Sequence, residues 1–95
     1  MAGYRPQIGS EVADAIRHLP PEVKRALRAA IRALAMNPAA GEPLHGELHG
    51  RFKYRVRRYR VVYRVDRAAR VVHIVAVGHR RSVYEEVAEL LHSRK

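Results

Sequence analysis

The chain has neither cysteine nor tryptophan, and its aromatic residues are one Phe and five Tyr. Without cysteine, disulfides and thiolate metal sites cannot form. No apolar run approaches the length of a membrane span, and the opening residues MAGYRPQIGS lack the apolar core of a signal peptide. We therefore expect a soluble, cytoplasmic protein, folded as a single domain over residues 1–95, with no membrane partner.

Acidic residues are also scarce, with nine Asp and Glu against nineteen Lys and Arg, which gives a net charge of +10. Such an excess repels itself in the folded state, and it indicates binding to a polyanion. Sixteen of the nineteen cations are Arg, a residue suited to bidentate contact with phosphate. A codon bias in a GC-rich genome would also enrich Arg, so the preference for Arg over Lys is only weak evidence for phosphate binding.

The N-terminal third of the chain is predicted to be mainly helical. A short strand over residues 4–8 is restricted to a sheet edge or end by Pro6. Apolar residues at helical spacing predict a short helix over 11–18, with Ser10 as its N-cap. A longer amphipathic helix follows over 21–36. Two helices joined by so short a turn form a hairpin with one face to bury.

From residue 52 onward the period of the apolar residues changes to two. The stretch FKYRVRRYRVVYRV slips by one residue at the pair Arg57-Arg58, which predicts antiparallel strands over 52–57 and 59–66. The apolar run 71–77 predicts a central strand, and 83–92 a short C-terminal helix. The predicted fold class is α+β, with an N-terminal strand and a helical hairpin packed on one face of a small antiparallel sheet.

Cations are concentrated on the other face of that sheet. Residues 51–81 contain eleven Lys or Arg and one acid, Asp66. A charged outer face is an ordinary surface feature, but like charges directly opposite on neighbouring strands are destabilising. This pattern therefore favours nucleic-acid or other phosphate binding over a merely solvated face.

A second group of polar residues follows the central strand at His79, Arg80 and Tyr84. His and Tyr can act as acid or base, and Arg can stabilise the extra charge of a phosphorane. RNA carries its own nucleophile, the 2′-OH, so cleavage requires no metal, and we expect no cofactor. The spacing of His45 and His49 would suit zinc on a helix, but the adjacent glycines argue against a helix there. From the residue types alone, plain binding is favoured over cleavage.

Three stretches of the sequence resemble the RelE/ParE toxin superfamily of type II toxin–antitoxin systems. They are LAMNP (34–38), LHGELHGRFKYRVRRYRVVYRVD (44–66) and VVHIVAVGHRRSVYE (71–85). The resemblance covers almost the whole chain and implies a RelE-like fold. The family pattern of L-x-G-x-L-x-G, a basic strand and Y-R-V-V-Y is met by Leu44, Gly46, Leu48, Gly50, Arg55, Tyr59, Arg60 and Tyr63.

The RelE branch implies a ribosome-dependent mRNA endonuclease that cleaves A-site codons without metal and inhibits translation. Carried over by position, Lys53 is expected to act as a base or charge stabiliser near the 2′-OH, and Arg55 to contact phosphate. Arg60 is expected to hold the scissile phosphate. Arg80 would assist the transition state or leaving group, and Tyr84 would stack on or orient the substrate base.

Further substrate contacts are expected from four residues beside these: Arg57, Arg58, His79 and Arg81. Two positions depart from the family pattern. Arg57 stands where many relatives have glycine, which implies either a turn without a positive φ or some strain. Arg55 replaces a lysine and removes a possible proton shuttle, since Arg does not deprotonate usefully. Proton transfer is left open between Lys53, His79 and Tyr84.

The resemblance leaves two alternative functions open and also implies binding partners. A ParE-like protein would bind DNA gyrase and cut nothing, and an inactivated relative would only bind nucleic acid or a partner. A toxin also implies a cognate antitoxin, RelB-like and acidic to match the +10 charge, alongside the ribosome and mRNA.

Overall fold

The computed structural model of the chain describes residues 3–92, which form three helices and a five-stranded sheet. In chain order the elements are β1 Arg5–Ile8, α1 Ser10–Arg17, α2 Pro21–Met36, β2 Glu42–Pro43, β3 Phe52–Val56, β4 Tyr59–Asp66, β5 Val71–His79 and α3 Val83–His92. Within this range, no helix combines the length and apolar character needed to cross a bilayer.

The sheet has the strand order β1-β5-β4-β3-β2. Strands β2 to β5 pair in antiparallel fashion, whereas β1 pairs in parallel with β5 along the edge. The α+β class and the RelE-like arrangement are confirmed, but the sheet is mixed because β1 joins it in parallel. Pro6 lies in that edge strand, where its missing N–H costs no sheet hydrogen bond.

One face of the sheet carries the main core. Alternate residues of the strands, such as Val61, Tyr63 and Val72, point to this face and are fully buried. Leu27 and Leu34 of α2 pack against them. The apolar stripe predicted for the second helix is therefore the surface that attaches the helical hairpin to the sheet.

The middle of the opposite face is covered as well. Val83 and Val87 of α3 pack on Val62 and Ala76 of the sheet, and all four are buried. A Cβ at Gly78 would lie 3.3 Å from Val83, so the helix approaches the strand closely there. The sequence assigned this face to cations, but the structure leaves them only its two ends.

The connection between α2 and β3 is more regular than the sequence predicted. It contains the short strand β2 and two 3₁₀ turns, Pro38–Ala40 and Gly46–Leu48. The buried hydroxyl of Tyr63 donates to the Pro38 carbonyl at 2.8 Å and accepts from the Gly41 N–H at 2.9 Å. Tyr63 thus fixes this connection against the sheet.

The predicted N-cap of the first helix is wrong by one residue. Helix α1 begins at Ser10 itself, and Gly9 is the N-cap, with no side-chain hydrogen bond to the helix end. The helix is instead held by its apolar contacts with the core, in which Ile16 is buried.

Candidate functional site

A cleft of about 310 Å³ opens on the second face of the sheet, beside the β3–β4 hairpin. Its cationic lining is Lys53 and Arg55 from β3 and Arg60 from β4. Arg55 lies directly opposite Arg60 in the strand register. The three side chains share a face because of strand alternation. The one-residue slip at the turn keeps Arg60 in phase with the other two. Tyr54 packs against the main core and also contributes to the lining of the cleft.

The guanidinium of Arg60 folds back onto the turn of its own hairpin. Its Nη1 donates to the Arg57 carbonyl at 3.1 Å and to the Tyr59 carbonyl at 2.8 Å. These two bonds use only one of its nitrogen atoms, so the guanidinium retains donors for an anion. Arg55 is exposed beside it, and two cations in direct opposition are an arrangement that an anion between them would stabilise.

The cleft also contains an acidic residue that the sequence reasoning missed. Glu42 lines it from β2, pairs with Lys53 in the strand register, and places its Oε1 3.7 Å from the Lys53 Nζ. Glu42 is the one carboxylate among the described lining residues. A strand of two residues, one of them Pro43, has no periodic pattern, so Glu42 could not be placed there from the sequence.

The turn at the tip of the hairpin adopts the strained conformation rather than the relaxed one. Arg57 has a φ of 59° at the first position of the two-residue turn, where glycine is favoured. Arg57 and Arg58 are both exposed next to the cleft. The Arg58 carbonyl accepts the Arg80 N–H at 2.8 Å. The chain after β5 is thereby attached to the hairpin tip, and Arg80 is exposed at that point.

His79 lies on the face opposite to the cleft. Its ring contacts Tyr59 edge-to-face, with the centroids 6.0 Å apart, and the two residues are directly opposite in the register. Arg60, the next residue after Tyr59, lies opposite Gly78 and points to the other side. The structure therefore does not bring the imidazole of His79 together with Lys53, Arg55 and Arg60.

The remaining candidate residues surround the cleft without lining it. Tyr84, in the first turn of α3, is half-buried against the cluster of Val62 and Val87. Arg81 is exposed, and its backbone N–H donates to Nδ1 of His79 at 3.3 Å. The geometry thus separates a lining group, Lys53, Arg55 and Arg60, from a peripheral group at the strand ends.

The histidines of the LHGELHG segment lie in an irregular connection. Gly46 and Gly50 have φ values of 67° and 92°, consistent with the prediction that this segment is not an α-helix. Across residues 3–92, no group of three or more His, Asp or Glu is arranged to hold a metal ion.

Known proteins share both the sequence pattern and this fold. Residues 4–84 match the family model of the ParE toxin of type II toxin–antitoxin systems, parDE. No curated protein sequence matches the chain. The toxin–antitoxin complex RelBE2 of Mycobacterium tuberculosis contains a chain 30% identical, with a TM-score of 0.77, over 82% of this chain and 99% of that one.

Two further solved structures are similar in fold. A double mutant of the E. coli toxin RelE in the free state is 24% identical with a TM-score of 0.74 over 93% of each chain. A chain of the archaeal RelE-RelB complex from Pyrococcus horikoshii is 24% identical with a TM-score of 0.69, over 83% of this chain and 97% of that one. At this identity the likeness extends to the fold.

Proposed function

Because the chain belongs to the ParE toxin family of type II toxin–antitoxin systems, we propose that it is a single-domain, ribosome-dependent mRNA endonuclease that cleaves A-site codons and inhibits translation. The observation that carries this proposal is the convergence of Lys53, Arg55 and Arg60 on one cleft. Three cations from adjacent strands around a cleft with room for a phosphodiester favour the binding of a nucleic-acid backbone.

The proposed reaction uses the nucleophile of the RNA itself. The 2′-oxygen attacks the adjacent phosphorus, the bond from phosphorus to the 5′-oxygen breaks, and a 2′,3′-cyclic phosphate and a 5′-hydroxyl result. One proton leaves the 2′-OH and one reaches the 5′-oxygen, so the step balances without metal. Cations around the phosphorane stabilise the charge that develops in the transition state.

The roles of the lining residues follow from their chemistry. Arg55 and Arg60 are opposed across the strand pair and would bind the non-bridging oxygens of the scissile phosphate. Guanidinium groups do not deprotonate usefully, and Lys53 is the other cationic residue that lines the cleft. We therefore assign proton transfer at the 2′-OH to Lys53, which would accept the proton as its neutral amine. Glu42 holds the Lys53 ammonium in the absence of RNA.

The peripheral residues have supporting roles in the proposal. Arg80, attached by its backbone to the hairpin tip, would reach the leaving oxygen, and Tyr84 would stack on a substrate base. Arg57, Arg58 and Arg81 are exposed and would contact neighbouring phosphates. His79 is assigned no role in proton transfer, because its ring packs on Tyr59 on the far face.

The proposed physiological partner is an acidic, RelB-like antitoxin. Two of the similar structures are complexes of a toxin with its antitoxin. The net charge of +10 suits an acidic partner that covers the cationic face.

Primer extension on mRNA from a translation reaction tests the nuclease directly. We expect cuts within A-site codons that require both the protein and ribosomes, and that disappear with Arg60→Ala. Arg67→Gln, which removes one positive charge from the distant β4–β5 turn, is the matched control and should cut normally. An intact message with wild-type protein, or equal cutting by Arg60→Ala, would refute the proposal.

A second candidate function rests on the family model, which is that of the ParE toxins. Under this alternative the chain inhibits DNA gyrase and cuts no RNA. A supercoiling assay on the same preparation separates the two: inhibition of gyrase together with an intact message would favour the ParE-like function.

A further inference from the structure

A second cleft, of about 480 Å³, lies at the other end of the same sheet face. Its floor includes Arg51, Arg64 and His73, and one wall is formed by Leu90 and Leu91 of α3. The apolar cluster beneath α3 separates it from the cleft that contains Arg60. Neither the family motifs nor the proposed cleavage uses it.

The floor residues form one row across the sheet. His73 pairs with Arg64 on one side and with Gln7 on the other. Arg51 precedes Phe52, which pairs with Tyr63, so the same register continued by one residue sets Arg51 opposite Arg64. Directly opposed residues share a face with Cβ atoms about 5 Å apart. Two arginines are therefore cross-strand neighbours, and like charges directly opposite each other are destabilising.

The guanidinium groups of this row have almost no protein partners. The Nε of Arg51 is buried with no hydrogen-bond partner, the one such buried side-chain atom among residues 3–92. Its Nη1 makes a single long contact, 3.4 Å, to the His49 carbonyl. Glu11 lines the opposite wall, yet no ion pair joins it to Arg51 or Arg64 within the described residues. A buried donor without a partner is costly, so a movement of the Arg51 guanidinium toward an acceptor in the cleft would remove that cost.

We propose that this second cleft binds a carboxylate side chain of an acidic peptide, with an aliphatic neighbour packed on Leu90 and Leu91. Leu90 is 44% exposed, and the aliphatic wall suits a peptide. Among the described lining residues there is no Phe, Tyr or Trp, and the imidazole of His73, which is half-buried, is the one ring on which an RNA base could stack. The aliphatic wall therefore favours a peptide. The identification of the partner as the antitoxin rests on the proposed function. The binding of a carboxylate in this cleft is independent of the proposed function.

The test titrates the full chain, labelled with ¹⁵N, with a capped synthetic peptide in which Glu alternates with Leu. We expect saturable shifts of the Nε–H signals of Arg51 and Arg64. The same peptide with Gln in place of Glu should not produce them. Arg51→Met and Arg64→Gln should each weaken binding about tenfold, the loss expected for one charge-assisted contact. Arg67→Gln, which removes the same charge elsewhere, should bind as the wild type does.

Thermal unfolding separates a ligand site from a structural role. Arg51→Met keeps an apolar stem and removes the buried, unpartnered N–H, so its melting temperature should be equal to or above that of the wild type. A clear drop in melting temperature would make Arg51 a structural residue and overturn the proposal. Equal binding of the Glu and Gln peptides would also overturn it.

A short single-stranded RNA serves as the competing probe. If RNA shifts the Arg51 and Arg64 signals and the Glu peptide does not, the cleft contacts nucleic acid and the proposal is wrong. Because these titrations contain no ribosome, their result is independent of the cleavage assay. A protein that cuts no message but binds the Glu peptide would refute the nuclease and leave the carboxylate site standing.

Discussion

The two faces of the sheet are built from alternate residues of the same strands, yet the face under the helical hairpin differs in burial and charge from the open ends of the other face. On one face Val61, Tyr63 and Val72 are fully buried under the helical hairpin. On the other, Arg55 and Arg60 stand opposite each other at an open cleft. Burial of apolar area stabilises the fold, whereas opposed cations weaken it. The first face therefore accounts for most of the core, and the second carries the residues of the proposed site.

This difference gives a rule for substitutions. A change on the cationic face should alter activity more than stability, and a change on the buried face should alter stability more than activity. Substitutions on the two faces and at the turns can break or sharpen that rule.

Arg60→Ala is expected to have the largest effect. Removal of one preorganised donor to a developing oxyanion typically lowers a rate by about 100- to 1,000-fold. The lost contacts are to two turn carbonyls that water can reach, so stability should change by less than about 1 kcal/mol. Primer-extension kinetics and thermal unfolding measure the two quantities. A large loss of stability, or an unchanged cleavage rate, would contradict the rule at the residue where the largest effect on activity is expected.

Tyr63→Phe tests the buried face. The substitution removes the hydroxyl that bonds Gly41 and Pro38 and leaves the Gly41 N–H without its acceptor. We expect a loss of about 2 kcal/mol in the free energy of unfolding, measured by urea denaturation. A Cβ at Gly41 would lie 2.6 Å from the Lys53 carbonyl oxygen, so Gly41→Ala should also destabilise the protein through the same contact region.

The pH dependence of the same substitution has a defined sign. Burial raises the pKa of the Tyr63 phenol above its ordinary 10.0, although the hydrogen bond from Gly41 opposes the shift. The unfolded state then loses its proton first, so the stabilisation is complete below pH 10 and decreases as the pH rises further. The stability difference between wild type and Tyr63→Phe should therefore narrow above pH 10. A constant difference would mean that the phenol is not desolvated.

The sequence predicted the features that depend on local periodicity. The period of two, with its slip at Arg57-Arg58, correctly set Lys53, Arg55 and Arg60 on one face. The observed position of His79 differs from the expected one beside the arginines of the hairpin, because the predicted strand ended at residue 77. Strand β5 continues to His79, and alternation carries its ring to the far face. Neither Glu42 nor the Tyr63 anchor could be predicted, since each depends on a contact between residues distant in the chain.

Arg57→Gly examines the strain stored beside the cleft. With a φ of 59°, Arg57 occupies a conformation that costs a non-glycine residue about 1 kcal/mol, so glycine should stabilise the protein by roughly that amount. Arg70 has the same φ of 59°, but its guanidinium lies 4.9 Å from the centre of the Tyr4 ring. Arg70→Gly would lose that contact and should gain less. Equal gains at the two turns would show that the cation–π contact is without effect.

Glu42→Gln is expected to have the smallest effect, and it acts on the cationic face alone. The pair with Lys53 spans 3.7 Å, and the side chains are 77% and 38% exposed, so its removal should cost well under 1 kcal/mol of stability. RNA must compete with Glu42 for Lys53, so the variant should bind a short single-stranded RNA a few-fold more tightly at low salt. This gain in affinity should decrease as salt screens the charges.

Glu47→Gln is the matched control, because it removes the same charge from a carboxylate that contacts His92 and not Lys53. If both variants gain affinity equally, RNA responds to net charge and not to the cleft; a gain confined to Glu42→Gln would show that the carboxylate on β2 competes with phosphate for Lys53.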